Sequence, residues 1–143
     1  MKASDLMTST QIWSCRENTS AREAAKMMGE HDVGAIPILD QQGRLEGIVT
    51  DRDLCLRILG TGQSPETPVR TVMSRDVHCV QADADLEDIV SIMRKYKVRR
   101  VPVVNRENRL QGFLSQADLL RALHGSPQER ELVEVLEVIS EPG

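Results

Sequence analysis

The sequence predicts a mixed α/β fold of the α+β type, with two β-α-β-β-α repeats followed by a C-terminal helix. Two observations support this prediction. The chain resembles itself at a shift of 65 residues, and each copy alternates helical and strand-like hydrophobic spacing in the same order. When residues 32–54 are set on residues 97–119, seven of 23 positions are identical. We therefore predict repeat 1 in residues 1–62, repeat 2 in 63–125, and an amphipathic helix and tail in 126–143.

The first helix of each repeat is marked by its cap and by its apolar face. Ser20 and Glu23 form a capping-box pattern in repeat 1, and Asp85 takes the cap position in repeat 2. Apolar residues then recur at the i, i+3, i+4, i+7 spacing of a helix that packs on one side. They are Ala21, Ala24, Ala25 and Met28 in repeat 1, and Leu86, Ile89, Val90 and Met93 in repeat 2.

A strand hairpin follows in each repeat, and a short helix (DLCLRIL or DLLRALH) closes it. The apolar runs AIPIL and LEGIV flank the turn DQQG, and the runs VPVV and LQGFL flank the turn NREN. Pro37 and Pro102 lie inside strand runs, where proline indicates a sheet edge or a bulge because it cannot donate to the ladder. Gly47 and Gly112 lie in mid-strand, which indicates a bulge or the close approach of another group.

The segment after repeat 2 predicts one more helix. Ser126 takes its cap position, Pro127 the first helical position, and Glu129 follows three residues after the cap. The apolar stripe of this helix must cover either the chain's own repeats or a partner. It consists of Leu132, Val135, Leu136 and Ile139.

Composition argues against several classes of protein. The formal net charge is -4, the isoelectric point is about 5.4, and aromatic residues make up 2% of the chain. These values disfavour binding to nucleic acid or to an anionic membrane surface. The basic run Arg94–Arg100 is either a solvated helix end or a local basic patch. Because no apolar run approaches 18 residues, we predict neither secretion nor a membrane span.

Cysteine and histidine residues are few and scattered. Cys15, Cys55 and Cys79 are odd in number and widely spaced, so we predict reduced, mostly buried thiols in a cytoplasmic protein, with no metal site. The sequence contains no nucleophile–base pair, zinc-protease motif, phosphate-binding loop or dinucleotide fingerprint. We therefore predict that the chain is not an enzyme.

One motif occurs twice, at the end of each hairpin: glycine, two apolar residues, Ser or Thr, two variable residues and aspartate. It places Thr50 before Asp53 and Ser115 before Asp118. The pattern fits a capping box that serves only the following helix. It also fits a ligand site, because a carboxylate accepts two hydrogen bonds from a cis-diol and a helix N-terminus favours an anion. Both interpretations stay open at this point.

The two halves, GAIPILDQQGRLEGIVTDRDL and VRRVPVVNRENRLQGFLSQADL, resemble tandem cystathionine-beta-synthase (CBS) domains, the pair called a Bateman module. The resemblance covers about residues 1–124. It implies repeats packed about a pseudo-twofold axis, with two clefts that commonly bind AMP, ADP, ATP, S-adenosylmethionine or NADH. In this family the aspartate typically holds the ribose, the Ser/Thr and a basic residue contact phosphate, and backbone near the proline contacts adenine. Modules usually form homodimers and regulate another protein.

Carried onto this chain, the resemblance implies two sites that are not equivalent, since Arg52 in the first motif corresponds to Ala117 in the second. The implied nucleotide-binding residues are Ile36, Pro37, Thr50, Arg52 and Asp53 in repeat 1, and Arg100, Val101, Pro102, Ser115 and Asp118 in repeat 2. We expect a homodimeric regulatory module that binds an adenosine-containing ligand, needs no obligatory cofactor and signals to an unidentified partner. The alternative is a ligand-free interaction scaffold, favoured by the apolar stripe of the tail helix.

Overall fold

The computed structural model describes residues 1–9 and 12–140, and these residues form two compact units. The first unit holds residues 13–77. The second unit holds residues 78–140 together with the N-terminal segment before residue 13. Residues 141–143 of the predicted tail lie outside the described residues.

Helices and two small sheets alternate along the chain, which confirms the α+β class. In chain order the elements are α1 (Ala3–Leu6), α2 (Ala21–His31), β1 (Ala35–Leu39), β2 (Leu45–Thr50), α3 (Asp51–Leu54), β3 (Val80–Gln81), α4 (Leu86–Tyr96), β4 (Arg100–Val104), β5 (Leu110–Ser115), α5 (Gln116–Leu123) and α6 (Glu129–Ile139). A π-helical turn, Cys55–Leu59, continues α3, and a 3₁₀ turn covers Val69–Thr71.

The first unit is built on the β1–β2 hairpin. Its strands pair antiparallel from Ala35 opposite Thr50, with a bulge near the turn. Helix α2 begins where the sequence predicts, because the Ser20 side chain accepts a hydrogen bond from the Glu23 N–H at 3.1 Å. The first strand of the predicted β-α-β-β-α repeat is present here only as a single parallel bridge between Cys15 and Ile38.

The second unit carries a three-stranded sheet in the order β3-β4-β5. Strand β4 pairs parallel with the two-residue β3 and antiparallel with β5. The Asp85 side chain caps α4, as predicted, by accepting from the Asp88 N–H at 3.0 Å. Helix α6 packs on α4 and α5, and its buried residues are Leu132, Val135 and Ile139. The tail stripe therefore covers the chain's own helices.

Four local predictions need correction. Ala25, expected on the packed face of α2, is exposed, whereas Ala21, Ala24 and Met28 are buried because they face the hairpin. Pro102 does not mark a sheet edge, because β4 is the central strand; of the two predicted alternatives, the structure shows a bulge, which lies just beyond the proline between Val103 and Val104. Ser126 does not cap the tail helix, which begins at Glu129 without a side-chain cap bond. The Glu129 carboxylate instead accepts from the Gly125 N–H at 2.8 Å. Cys55 is exposed, although Cys15 is buried as expected.

The mid-strand glycines allow close backbone contacts, as predicted. A β-carbon on Gly47 would lie 2.7 Å from the Ser74 carbonyl oxygen, and one on Gly112 would lie 2.7 Å from the Thr8 carbonyl oxygen. In both units, an extended segment hydrogen-bonds to the residue after the glycine. Ile48 and Ser74 exchange two backbone bonds, as do Phe113 and Thr8. Each repeat's hairpin therefore needs glycine at this position for steric reasons alone.

Candidate functional site

The first motif lies where β2 ends and α3 begins. Thr50 has an extended backbone and is the N-cap of α3. Its Oγ1 accepts from the Asp53 N–H at 3.1 Å, and Asp53 Oδ2 accepts from the Thr50 N–H at 2.9 Å. The motif thus forms a reciprocal capping box. The second oxygen of the carboxylate, Oδ1, lies 4.0 Å from Arg57 Nε.

The second motif repeats this geometry at the start of α5. Ser115 Oγ accepts from the Asp118 N–H at 3.2 Å, and Asp118 Oδ2 accepts from the Ser115 N–H at 2.9 Å. Here the other oxygen is occupied more tightly, because Arg121 Nη2 donates to Asp118 Oδ1 at 2.6 Å. The Arg121 side chain is 73% exposed, so it can turn aside at little cost.

The capping-box interpretation is therefore confirmed for both motifs, and it leaves room for a ligand. Only one carboxylate oxygen faces the backbone, and each oxygen has two lone pairs. Asp53 Oδ1 has no partner within ordinary hydrogen-bond distance among the described residues, whereas Asp118 Oδ1 is held by Arg121. A diol that needs an open carboxylate oxygen meets less competition at Asp53.

Strand register brings the start of each proline strand beside its motif. Ala35 lies opposite Thr50, and Arg100 lies opposite Ser115. Four predicted adenine-slot residues are buried as whole residues, and Ile36 and Val101 are 0% exposed in backbone and side chain together. The four residues are Ile36, Pro37, Val101 and Pro102.

Two predicted phosphate contacts, Arg52 and Arg100, are exposed at the same ends of the hairpins. Arg52 is the second residue of α3, two positions after Thr50, and Arg100 is the first residue of β4. Both arginines thus lie in the segments that carry or adjoin the motifs. The two arginines occupy different positions of the repeat, since Arg52 corresponds to Ala117 and Arg100 corresponds to Ala35.

A pair of ring stacks was missed by the sequence reasoning. Trp13 stacks on His31 with ring centroids 3.5 Å apart, and His78 stacks on Tyr96 at the same distance. The pairs are related by the 65-residue repeat, since 13 corresponds to 78 and 31 to 96. His31 and His78 do not align with each other in the repeat, because each stacks on a different ring type in its own half. Each stack joins the end of a repeat's first helix to the segment that precedes that helix.

A pair of carboxyl groups with perturbed pKa values lies away from the motifs, beside the β1–β2 turn. The pKa of Glu46 is raised by burial and by the neighbouring Glu17 carboxylate. The pKa of Glu17 is lowered by hydrogen bonding to Glu46 and to Arg75, whose Nη2 lies 3.1 Å from Glu17 Oε1. This acid pair has no counterpart in repeat 2, where Gln111 replaces Glu46.

The described residues contain neither a metal-binding cluster nor a membrane-spanning helix. Within residues 1–9 and 12–140, no group of three or more His, Cys, Asp or Glu side chains is placed to hold a metal ion. None of the helices in these ranges is both long and apolar enough to cross a bilayer.

Comparison with known proteins agrees with the duplicated motif. The model of the CBS domain family matches residues 3–60 and 69–125. The chain belongs to the CBS domain family. It is 36% identical over 127 residues to hypoxic response protein 1 of Mycobacterium tuberculosis, covering 88% of this chain and 85% of the relative.

Solved structures of CBS proteins share this fold. A crystal structure of Hypoxic Response Protein I with two coordinated zinc ions has a TM-score of 0.77 and 34% identity, over 85% of this chain and 98% of that one. The CBS domain pair of protein MJ0100, in complex with 5-methylthioadenosine and S-adenosyl-L-methionine, has a TM-score of 0.76 and 27% identity, over 87% and 97%. CBSX2 in complex with AMP has a TM-score of 0.75 and 27% identity, over 85% and 94%.

Proposed function

We propose that this CBS pair is a regulatory module that binds an adenosine-containing ligand at one or both motifs. The ligand class is AMP, ADP, ATP, S-adenosylmethionine or NADH. The single observation that carries the proposal is the duplicated capping box, which orients an aspartate beside a helix N-terminus and an exposed arginine. Two structural neighbours are described with AMP or with S-adenosylmethionine bound, which supports the same ligand class.

Each part of the motif has a distinct role in this proposal. The motif aspartates, Asp53 and Asp118, accept hydrogen bonds from the ribose diol through the oxygen that does not face the backbone. Thr50 and Ser115, with Arg52 and Arg100 near them, bind phosphate when the ligand carries it. Ligand binding then changes the conformation or the dimer contacts of the module and so signals to another protein. A homodimer, a cytoplasmic location and the absence of catalysis belong to the same proposal.

The two sites should differ in affinity. Asp53 offers an oxygen without a close competitor, while a ligand at Asp118 must displace Arg121. We therefore propose that the Asp53 site fills first. Adenine contacts at Ile36, Pro37, Val101 and Pro102, which are buried in the structure, belong to the same proposal.

A thermal-shift panel with the five ligands tests this function on wild type, Asp53→Ala and Asp118→Ala. A ligand at 100 times its Kd adds about 2.7 kcal/mol to the stability of the folded state, which raises Tm by several degrees. We expect at least one ligand to shift wild type, with the larger loss in Asp53→Ala. No shift with any of the five would contradict the proposal and favour the ligand-free scaffold.

A further inference from the structure

The two units present the same backbone around their motifs. Strand β1 begins at Ala35, opposite Thr50, and β4 begins at Arg100, opposite Ser115. The residue before each of these strands accepts a backbone hydrogen bond from the first residue of the helix that follows the motif, at 3.0 Å in both units. The surroundings of the two motifs can therefore be compared position by position, and the difference between them lies in the side chains.

The segment that enters the proline strand carries opposite charge in the two units. Residues 32–35 (DVGA) contain one carboxylate and no cation, whereas the matching residues 97–100 (KVRR) contain three cations and no carboxylate. The formal charge is thus -1 in the first unit and +3 in the second. All four of the charged side chains are exposed: Asp32, Lys97, Arg99 and Arg100.

The helices after the motifs do not offset this difference. Residues 50–57 hold two carboxylates and two arginines, and residues 115–122 hold one carboxylate and one arginine, so neither stretch has a net charge. One carboxylate of the first unit lies close to the strand entry, because Asp51 Oδ2 is 3.3 Å from where a β-carbon on Gly34 would be. The neutral Gln116 takes the place of Asp51 in the second unit. Over these matched residues, an anion meets a charge of -1 at the first motif and +3 at the second.

The basic run Arg94–Arg100 therefore has two parts. Arg94 and Lys95 lie in the last turn of α4, where cations favour the negative end of the helix dipole. The rest of the run leads from the end of α4 into β4, and its last residue, Arg100, is paired with Ser115 of the second motif. The first part is a solvated helix end, and the second part is a basic patch beside the motif.

We propose that this charge difference makes the two motifs select different adenosine ligands. The second motif favours a ligand that carries a polyphosphate, such as ATP. The first motif favours a ligand without phosphate, such as S-adenosylmethionine, whose net charge is positive. This selectivity rests on the proposed function, since it assigns ligands to the sites proposed above. The Asp53 site can still fill first with either ligand, because selectivity is the ratio of two affinities at one site.

The size of the effect follows from the exposure of the charges. Arginine and lysine bind phosphate oxygens through charge-assisted hydrogen bonds, and a guanidinium can bind two oxygens at once. Water weakens each contact, so one exposed charge pair changes an equilibrium by up to about fivefold. Three cations in one unit against one carboxylate in the other should change the ratio of ATP affinity to S-adenosylmethionine affinity by about 10- to 100-fold. The difference should decrease as salt concentration rises.

Titration calorimetry on proteins with a single intact motif tests the selectivity. Asp118→Asn leaves the first motif and Asp53→Asn leaves the second, and each is titrated with ATP and with S-adenosylmethionine in magnesium-free buffer. We expect the ATP-to-S-adenosylmethionine affinity ratio to be about 10- to 100-fold higher in Asp53→Asn than in Asp118→Asn. Equal ratios, or the opposite order, would overturn the selectivity and leave the proposed function standing. Failure of wild type to bind any of the five ligands would overturn both.

Removal of two arginines tests whether the basic patch is responsible. In the Asp53→Asn background, Arg99→Ala with Arg100→Ala should weaken ATP binding by about 5- to 25-fold and change S-adenosylmethionine binding by less than about twofold. Arg106→Ala with Arg109→Ala is the matched control, because it removes two exposed arginines at the opposite end of the same hairpin. An equal loss of ATP affinity in the control would attribute the effect to total charge and overturn the proposal.

A gain of ATP binding provides a test that a damaged fold cannot mimic. Asp32 and Lys97 have the same left-handed backbone, with φ of 51° and 52°, so the fold accepts lysine at this position. Asp32→Lys with Asp51→Gln introduces the second unit's residues into the first. In the Asp118→Asn background, we expect this change to raise ATP affinity by about fivefold or more, with little change for S-adenosylmethionine. Unchanged ATP affinity would contradict the assignment.

Nucleic acid is the other anion that a basic run can bind, and a short oligouridylate serves as its probe. We expect no binding of this probe at a salt concentration that permits ATP binding. The opposite pattern would overturn the proposal and assign the run to nucleic acid. In that pattern the oligouridylate binds wild type, Arg99→Ala with Arg100→Ala abolishes its binding, and the same variant keeps its full affinity for ATP.

Discussion

At the residue scale, the two motif aspartates make the same backbone bond and differ in their second oxygen. Arg121 holds Asp118 Oδ1 at 2.6 Å, while Asp53 Oδ1 is 4.0 Å from Arg57 Nε. This difference arises from the helix positions that follow each motif. Arg121 corresponds to Leu56, so the repeat does not supply the same competitor twice.

Removing the competitor should strengthen the weaker site. We expect Arg121→Ala to raise affinity for AMP at the Asp118 site by up to about fivefold, since an exposed ion pair contributes about 0–1 kcal/mol. Isothermal titration in an Asp53→Asn background isolates that site. A drop in affinity would instead mean that Arg121 itself contacts the ligand.

Gly47 is fixed by a backbone contact, and this gives a stability prediction. A methyl group there must displace the Ser74 carbonyl, so we expect Gly47→Ala to lower the free energy of unfolding by about 1–3 kcal/mol. Gly29→Ala is the control, because nothing lies within 4 Å of a β-carbon there. Urea unfolding should show a gain of up to about 1 kcal/mol for Gly29→Ala. Equal effects of the two changes would refute the steric account.

At the scale of elements, the two hairpin turns form a natural comparison. Asp40 Oδ1 accepts from the Gln42 and Arg44 N–H groups at 2.8 and 2.9 Å. Asn105 Oδ1 makes the same two bonds, both 2.9 Å long, in the second hairpin. The turns therefore share a geometry and differ in charge.

The stability of the first turn depends on pH, because Asp40 carries a titratable carboxylate. The Arg44 backbone N–H, and then that of Gln42, lower the pKa of Asp40 below its ordinary value. Its stabilising effect is therefore fully present above the unfolded pKa, about 3.9, and is lost as pH falls through the lower folded value. We expect Asp40→Asn to lose less stability than wild type between pH ~6 and pH ~3 in urea titrations. Asn105→Asp should show the reverse, and parallel pH profiles for all three proteins would contradict this assignment.

Much of the element order follows from local sequence signals. Ser20 and Asp85 cap their helices, the turns fall where predicted, and the apolar spacing identifies the packed faces of the helices, with Ala25 as an exposed exception. Local signals fail where several hydrogen-bonding choices compete. The tail helix starts at Glu129 because that carboxylate turns back to Gly125, a choice that the Ser126 pattern does not reveal.

The candidate site likewise has some features that the sequence predicts and others that it does not. The repeat alone identifies Thr50, Asp53 and their counterparts, and their capping geometry follows from spacing. The arginine on Asp118 and the ring stacks depend on side chains from the next helical turn or from a distant segment. Comparing all residues at the 65-residue shift, including non-identical ones, would have paired Trp13 with His78.

At the scale of the whole molecule, the three thiols differ in accessibility. Cys55 is exposed, whereas burial raises the pKa of the Cys15 and Cys79 thiols. We expect one fast thiol in a reaction with a colorimetric disulfide reagent, removed by Cys55→Ser. Two or more fast thiols in the folded protein, or a fast thiol that persists in Cys55→Ser, would contradict this assignment.

The central claim is that the capping-box aspartate also binds ligand, and titration calorimetry tests it most directly. The measurement compares the ligand with the largest thermal shift on wild type, Asp53→Asn and Ser20→Ala. Asparagine keeps an oxygen for the Thr50 N–H but loses the charge, and Ser20→Ala removes a helix cap outside the motifs. We predict about 10- to 100-fold weaker binding in Asp53→Asn, the cost of a charge-assisted hydrogen bond, and unchanged binding in Ser20→Ala. Equal affinity in all three proteins would contradict the account and leave Asp53 as a helix cap alone.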